Sequence, residues 1–183
     1  MNQKAARGKI LIAEPFLGDP NFERSVVLLC EHNPEGSFGF VLNQSSNLRL
    51  GDVIEGVYVD FPLYIGGPVE QNTLHFIHRL GDMIDNTVEI GNGIYWSGDF
   101  ESLRTLINIG KISENDIRLF LGYSGWGTGQ LDAELGNNSW ILSDIDAATI
   151  FDSSPQQFWR IVLKKKGGDF KVLSNYPTDP RLN

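Results

Sequence analysis

Short apolar runs separated by Gly, Pro and Asn are the feature that most restricts the fold of this chain. Lys9–Ala13, Val26–Cys30 and Phe38–Leu42 come first, and Leu63–Ile65, Leu74–Ile77 and Val88–Ile90 continue the pattern. Runs of this length fit buried strands of about four to eight residues rather than helices. Asn92-Gly93 tolerates the positive φ of a two-residue hairpin, so Ile94–Trp96 is expected to fold back on the strand before it.

Helical spacing enters later. Asp99 is a candidate N-cap for a run in which Phe100, Leu103 and Ile107 recur until Gly110. Ile117–Leu121 reads as a strand, Gly129–Leu135 as a short helix and Trp140–Leu142 as another strand. Asp144-Ile145-Asp146 lacks the glycine and distal glutamate of a calcium loop and reads as a helix-start pair. Ser154-Pro155-Gln156-Gln157 combines an N-cap serine, a first-turn proline and a capping-box glutamine. That helix runs to Lys164-Lys165-Lys166-Gly167, where cations meet the negative end of the helix dipole. Phe170–Leu173 is expected to close the chain as a strand. Early strands followed by mixed elements, without a linker or repeat, predict one α+β domain over residues 1–183 with a mostly antiparallel sheet.

The densest glycine cluster is Gly122-Tyr123-Ser124-Gly125-Trp126-Gly127-Thr128-Gly129-Gln130, read as a turn between strand and helix. Ser124 invites comparison with a nucleophile elbow, but Trp126 stands where the second glycine of G-x-S-x-G belongs. His32, His75 and His78 all lie upstream of the serine, whereas the elbow's histidine follows it. Nor does the cluster match a phosphate loop: it has no Lys-Ser/Thr, and Asp132 and Glu134 already supply negative charge at the helix start. Tyr123 and Trp126 remain, either as core rings that cover the glycines or as stiff aromatic anchors beside accessible backbone. A second glycine turn, Gly66-Gly67-Pro68-Val69, is a candidate to face the first across a cleft, and the sequence does not fix whether the two are adjacent. The candidate binding surface is therefore Gly66, Gly67, Pro68, Tyr123, Gly125, Trp126, Gly129 and Gln130.

Other residues carry weaker chemistry. His75 and His78 are three apart in a strand-like run, which puts them on opposite faces and away from metal ligation. Cys30 is the one cysteine; in an apolar strand it reads as core, and a redox role would need exposure and a thiolate-favouring neighbour such as His32. No metal or cofactor is expected. A lone cysteine excludes an internal disulfide and suits the cytoplasm, and neither a signal-peptide core nor a membrane span is read in the chain. The balance of 15 basic against 23 acidic residues gives a net charge of -8, which opposes direct binding to nucleic acid or anionic membranes.

At these residues the chain resembles the AlgH/YqgE family of bacterial proteins. Gly122-Tyr123 before Gly125-Trp126, and Gly129-Gln130-Leu131 before Glu134-Leu135, look like its signature. Further blocks agree: Leu11-Ile12-Ala13-x-Pro15, Asp19-Pro20-x-Phe22-x-Arg24-Ser25-Val26-Val27, Cys30-Glu31-His32-Asn33, Gly39-x-Val41-Leu42-Asn43, Ser139-Trp140 and Asp179-Pro180-x-Leu182-Asn183. Ser124 departs from the alanine common at its place, which counts against a nucleophile. The resemblance implies a compact α+β domain whose branched sheet folds into a pseudo-barrel with a few flanking helices. It imports no established activity. Some members carry a transcriptional-regulator label, yet no DNA-reading helix-turn-helix is evident here.

Two functions compete. One is a non-catalytic binding or regulatory module that holds a protein, peptide or small ligand at the glycine and aromatic surface. The other is a small hydrolase or thiol-based enzyme drawing on Ser124, Cys30 and His32. A DNA-binding regulator stands third.

Overall fold

A computed structural model describes residues 4–178, so the terminal block Asp179–Asn183 lies outside the described residues. The first strands are β1 (Ile10–Ala13), β2 (Val26–Asn33) and β3 (Gly36–Val41). β4 (Ser45–Arg49), the one-turn helix α1 (Leu50–Val53) and β5 (Pro62–Ile65) follow. Then come β6 (Val69–His78), β7 (Val88–Gly91), β8 (Ile94–Trp96) and α2 (Phe100–Asn108). The chain ends with β9 (Ile117–Gly127), α3 (Gln130–Gly136), β10 (Trp140–Ser143), α4 (Ala147–Phe151), α5 (Phe158–Lys166) and α6 (Asp169–Leu173).

The architecture is α+β around a ten-stranded, mostly antiparallel sheet in the order β10-β1-β2-β3-β9-β6-β8-β7. The sheet branches at β9. Leu119–Leu121 pair with β6 on one edge and, in parallel, with β5 on the other; beyond them β3 takes over opposite Ser124–Gly127. β4 completes the branch by pairing with β5. The arms end at β10, β7 and β4, and no strand pairing among the described residues joins those ends. The expected pseudo-barrel is therefore corrected to an open, branched sheet.

Strands β1 and β2 read as continuous apolar runs because both of their faces are covered. Ile10, Ile12, Val26, Leu28 and Cys30 point into a core closed by Phe158, Trp159, Val162 and Leu163 of α5. Leu11, Ala13, Val27 and Leu29 point the other way, onto Trp126, Trp140 and Leu131 of α3. This is the period-two alternation of a strand, here with apolar contacts on both sides. A third cluster seats Leu103 and Ile107 of α2 against Leu63, Phe76, Ile117 and Leu119.

Two local expectations are overturned. The glycine cluster through Gly127 is not a turn but the second half of β9, and the turn begins at Thr128. Phe170–Leu173 is helical rather than a closing strand. Four apolar-rich residues do not separate the two periods, and Gly167 and Gly168, at φ 78° and 55°, reset the chain so that Phe170 and Leu173 pack on the same core.

Asp146 does start a helix. Its side chain accepts hydrogen bonds from the Thr149 amide (2.7 Å) and hydroxyl (2.8 Å), and it forms an ion pair with Lys165 at 2.7 Å. The Lys165 hydrogen bond, then those from Thr149, hold its carboxyl down to about 2. A depressed folded-state pKa contributes stability that is present above the ordinary carboxylate value and lost as pH falls toward about 2. Because the side chain is half exposed, the gain is small. Asp146→Ala is expected to cost about 1 kcal/mol in urea unfolding at neutral pH, and the difference from the parent should vanish in acid.

Candidate functional site

Alternation along β9 decides which of the candidate residues can meet a ligand. Ser124 and Trp126 are buried, Tyr123 is half-buried and Gly125 is exposed. The Ser124 hydroxyl donates to the Gly66 carbonyl at 3.0 Å inside the core. The serine thus serves the sheet branch and has no access to a substrate.

The two glycine segments are brought together, but without a cleft. Gly66 donates its amide to Leu121 and accepts from Val41, sitting where β3 and β5 diverge. A Cβ at Gly66 would lie 2.3 Å from the Gly122 carbonyl oxygen, and one at Gly67 would lie 2.2 Å from that of Tyr123. These glycines permit backbone-to-backbone contact, so the two segments are adjacent and meet by direct packing rather than across a cleft. Pro68 is exposed beside them. Tyr123 packs edge-on against Phe38 and His75.

Trp126 and Trp140 are core, held by a carboxylate that sequence reasoning did not single out for that role. Glu134 Oε2 accepts from the Trp126 indole at 2.9 Å and from the Trp140 indole at 2.8 Å, while Oε1 accepts from the Gln130 amide at 3.0 Å. Phe22 covers both indoles, with ring centroids at 6.2 and 5.4 Å. One side chain thereby joins β9, α3 and β10. The i, i+4 spacing of Gln130 and Glu134 was a visible signal; the convergence of two tryptophans on Glu134 was not.

Two open cavities flank the segment from Gly125 to Asp132. The smaller, about 260 Å3, is lined by Phe22, Gly125, Trp126, Gln130, Glu134 and Trp140 among others. The larger, about 420 Å3, lies between the β2–β3 hairpin (His32, Asn33, Pro34, Gly36, Ser37) and Gly127, Gly129, Leu131 and Asp132. Thr128 ties the two walls by donating to the Glu35 carbonyl at 3.1 Å. Within this groove His32 Nδ1 lies 2.7 Å from Ser37 Oγ. His32 and Ser37 are directly opposite across the hairpin. Asn33-Pro34-Glu35-Gly36 is a turn signal from which that pairing could have been read.

The other candidates fall elsewhere. Cys30 is buried in the α5-side core, and a register shift between Leu29 and Glu31 separates its setting from that of His32. Burial pushes its thiol far above the ordinary range. Native protein is expected to resist an aromatic disulfide reagent, reacting at least about a thousandfold more slowly than the unfolded chain. Stopped-flow absorbance with and without urea measures this; fast native labelling would show an exposed thiolate. His78 is fully buried: Nδ1 accepts from the Leu80 amide at 3.2 Å, leaving the Nε2 proton for Thr87 (2.8 Å) and the Ser97 carbonyl (3.2 Å). Burial lowers its pKa and that of His75, whose Nε2 faces Thr73. Both histidines read as neutral packing residues.

Among the described residues no helix is long and apolar enough to cross a membrane. The sequence profile of a family described as AlgH-like matches residues 10–171. A UPF0301 protein of Cytophaga hutchinsonii is 52% identical over 179 residues, covering 97% of this chain and 98% of its own. One from Chlorobium limicola is 44% identical over 181 residues, covering 98% and 97%. Among solved structures, a protein of Corynebacterium diphtheriae matches with a TM-score of 0.80 at 25% identity, covering 96% of this chain and 95% of its own. The solution structure of AlgH from Pseudomonas aeruginosa matches at 0.75 with 31% identity, covering 97% and 98%.

Proposed function

The chain belongs to the AlgH-like family, and we propose that it acts as one domain with a non-catalytic binding or regulatory role, seating a protein, peptide or small ligand in the groove between the β2–β3 hairpin and residues 127–132. One observation carries this reading. A concave feature of about 420 Å3 against the glycine signature joins exposed backbone at Gly127 and Gly129 to the polar side chains of His32, Asn33, Ser37 and Asp132. A concave site with few converging polar groups is the ordinary form of a ligand pocket. The adjoining cavity at Gly125, Trp126 and Gln130 extends the same surface.

Burial of Ser124 and Cys30 supports a role without covalent chemistry. The net charge of -8 weighs against direct DNA reading, so any regulatory effect passes through a protein or small molecule. A lone, buried thiol suits the reducing cytoplasm.

Amide chemical-shift mapping with fractionated cell extract tests the proposal. Perturbations should centre on residues 32–37 and 125–132. Binding that perturbs only surfaces remote from both groove walls would remove this site from consideration.

A second reading rests on the His32–Ser37 contact, which has the geometry of a base beside a nucleophile. Here a hydrolase would use Ser37, with His32 taking its proton. A fluorophosphonate probe that labels Ser37 in native protein, and fails with His32→Ala, would favour this enzyme over the binding module.

A further inference from the structure

Arg118 lies on β9 opposite Ile77 of β6, one residue before the stretch paired on both edges, and it is 5% exposed. Its guanidinium donates to the Leu42 carbonyl at 3.0 Å and to the Ile150 carbonyl, near the C-terminal end of α4, at 2.8 Å. It also lies 5.1 Å from the centroid of the Tyr64 ring and 6.0 Å from that of Phe158. No carboxylate among the described residues comes within ion-pair distance of it. Arg79 is different: it pairs with Asp116 at 3.6 Å and with Asp152 at 2.8 Å. A buried charge without a counter-ion costs several kcal/mol, and carbonyl dipoles and ring faces offset part of that. Burial accordingly lowers the Arg118 pKa from its ordinary value.

The arginine is not sealed in. It lines a cavity of about 210 Å3 together with Tyr64, Asn115, Phe151 and Ser153. Glu114 also lines the cavity, but its carboxylate is exposed and forms no ion pair with Arg118. At roughly 30 Å3 per water, this space exceeds what a few waters need and admits a small tetrahedral or planar anion. The asparagine amide and the serine hydroxyl are donors of the kind that orient such a group, and the guanidinium fork matches its paired oxygens.

We propose that this cavity, at the N-terminal end of β9 and separate from the hairpin groove, binds a compact oxyanion, phosphate or short carboxylate, with Arg118 as its counter-charge. The carbonyls of Leu42 and Ile150 hold the fork in place, and the remaining N–H groups meet the ligand.

The full chain is titrated with inorganic phosphate and, separately, with acetate, at constant ionic strength balanced by chloride, while the Arg118 Nε–H signal and the amides of residues 115 and 151–153 are followed by NMR. Saturable shifts at these positions with either anion are expected. The tighter of the two identifies the ligand as phosphoryl or carboxylate, and either result supports the site. Asn115→Asp leaves Arg118 untouched and places a fixed carboxylate at an exposed cavity position, so it should weaken binding at least about tenfold without altering the spectrum elsewhere. No saturable shift with either anion, an equal response to chloride, or unchanged binding in the Asn115→Asp protein would overturn the proposal.

Discussion

Replacing Gly67 with alanine is expected to cost more than about 3 kcal/mol, a large share of the roughly 5–15 kcal/mol that holds an ordinary domain folded. The added Cβ would stand 2.2 Å from the Tyr123 carbonyl oxygen and 2.4 Å from Ser124 Oγ, at a backbone φ of 156°. Neither obstacle is the far end of a flexible side chain. The Tyr123 carbonyl belongs to β9, and Ser124 is fixed by its hydrogen bond to Gly66. Relief would require prising β9 from the β5–β6 connection at the point where three strands converge. Gly129→Ala supplies the contrast, because its φ is 70° and nothing lies within 4 Å of the added atom. It carries only the left-handed backbone term, about 1–2 kcal/mol. Urea unfolding of both variants measures the difference. Similar losses for the two would show that the sheet branch can open to admit a methyl group.

Glu134→Ala should come next in severity, at about 2–3 kcal/mol, because two indole N–H groups lose their acceptor in a part-buried setting. Glu134→Gln keeps one oxygen that both indoles can share, but turns an amide nitrogen toward Gln130, so roughly half of that loss is expected. The test of origin is a cycle with Trp140→Phe, which removes one donor. In that background the alanine substitution should cost visibly less, and a coupling energy near zero would mean that the carboxylate bonds add nothing beyond local packing. Tryptophan fluorescence reports the same region directly.

Much of the sheet was legible because burial on both faces writes itself as uninterrupted apolar sequence. Ile10–Ala13 and the start of β2 are of this kind. β4 could not be found that way, since Ser45–Arg49 is mostly exposed and carries no apolar pattern. The glycine segment misled for a subtler reason. Gly122 looks like turn chemistry, yet its φ of 70° and its closeness to the Val69 carbonyl belong to a bulged strand packed on another part of the chain. That requirement is non-local, and local propensity does not contain it. Likewise the residues of the candidate surface were found in part: Gly125, Trp126, Gly129 and Gln130 do line cavities, while Gly66 and Gly67 spend their freedom on packing. Ser37 was within reach of the hairpin turn at residues 33–36, whereas the convergence of Trp126 and Trp140 on Glu134 exists only in the folded chain.

The branch at β9 also bears on synthesis. Strands β3, β5 and β6 all leave the ribosome before residue 117, and each needs β9 for one of its edges. A growing chain of about 110 residues therefore holds three strands with unpaired N–H and C=O groups and the apolar faces around them, and no local hairpin can cap all three. The 11 residues of β9 then close both halves of the sheet together. Any pause in translation before that stretch should lengthen the interval in which trigger-factor-type chaperones, or another nascent copy, can occupy those edges.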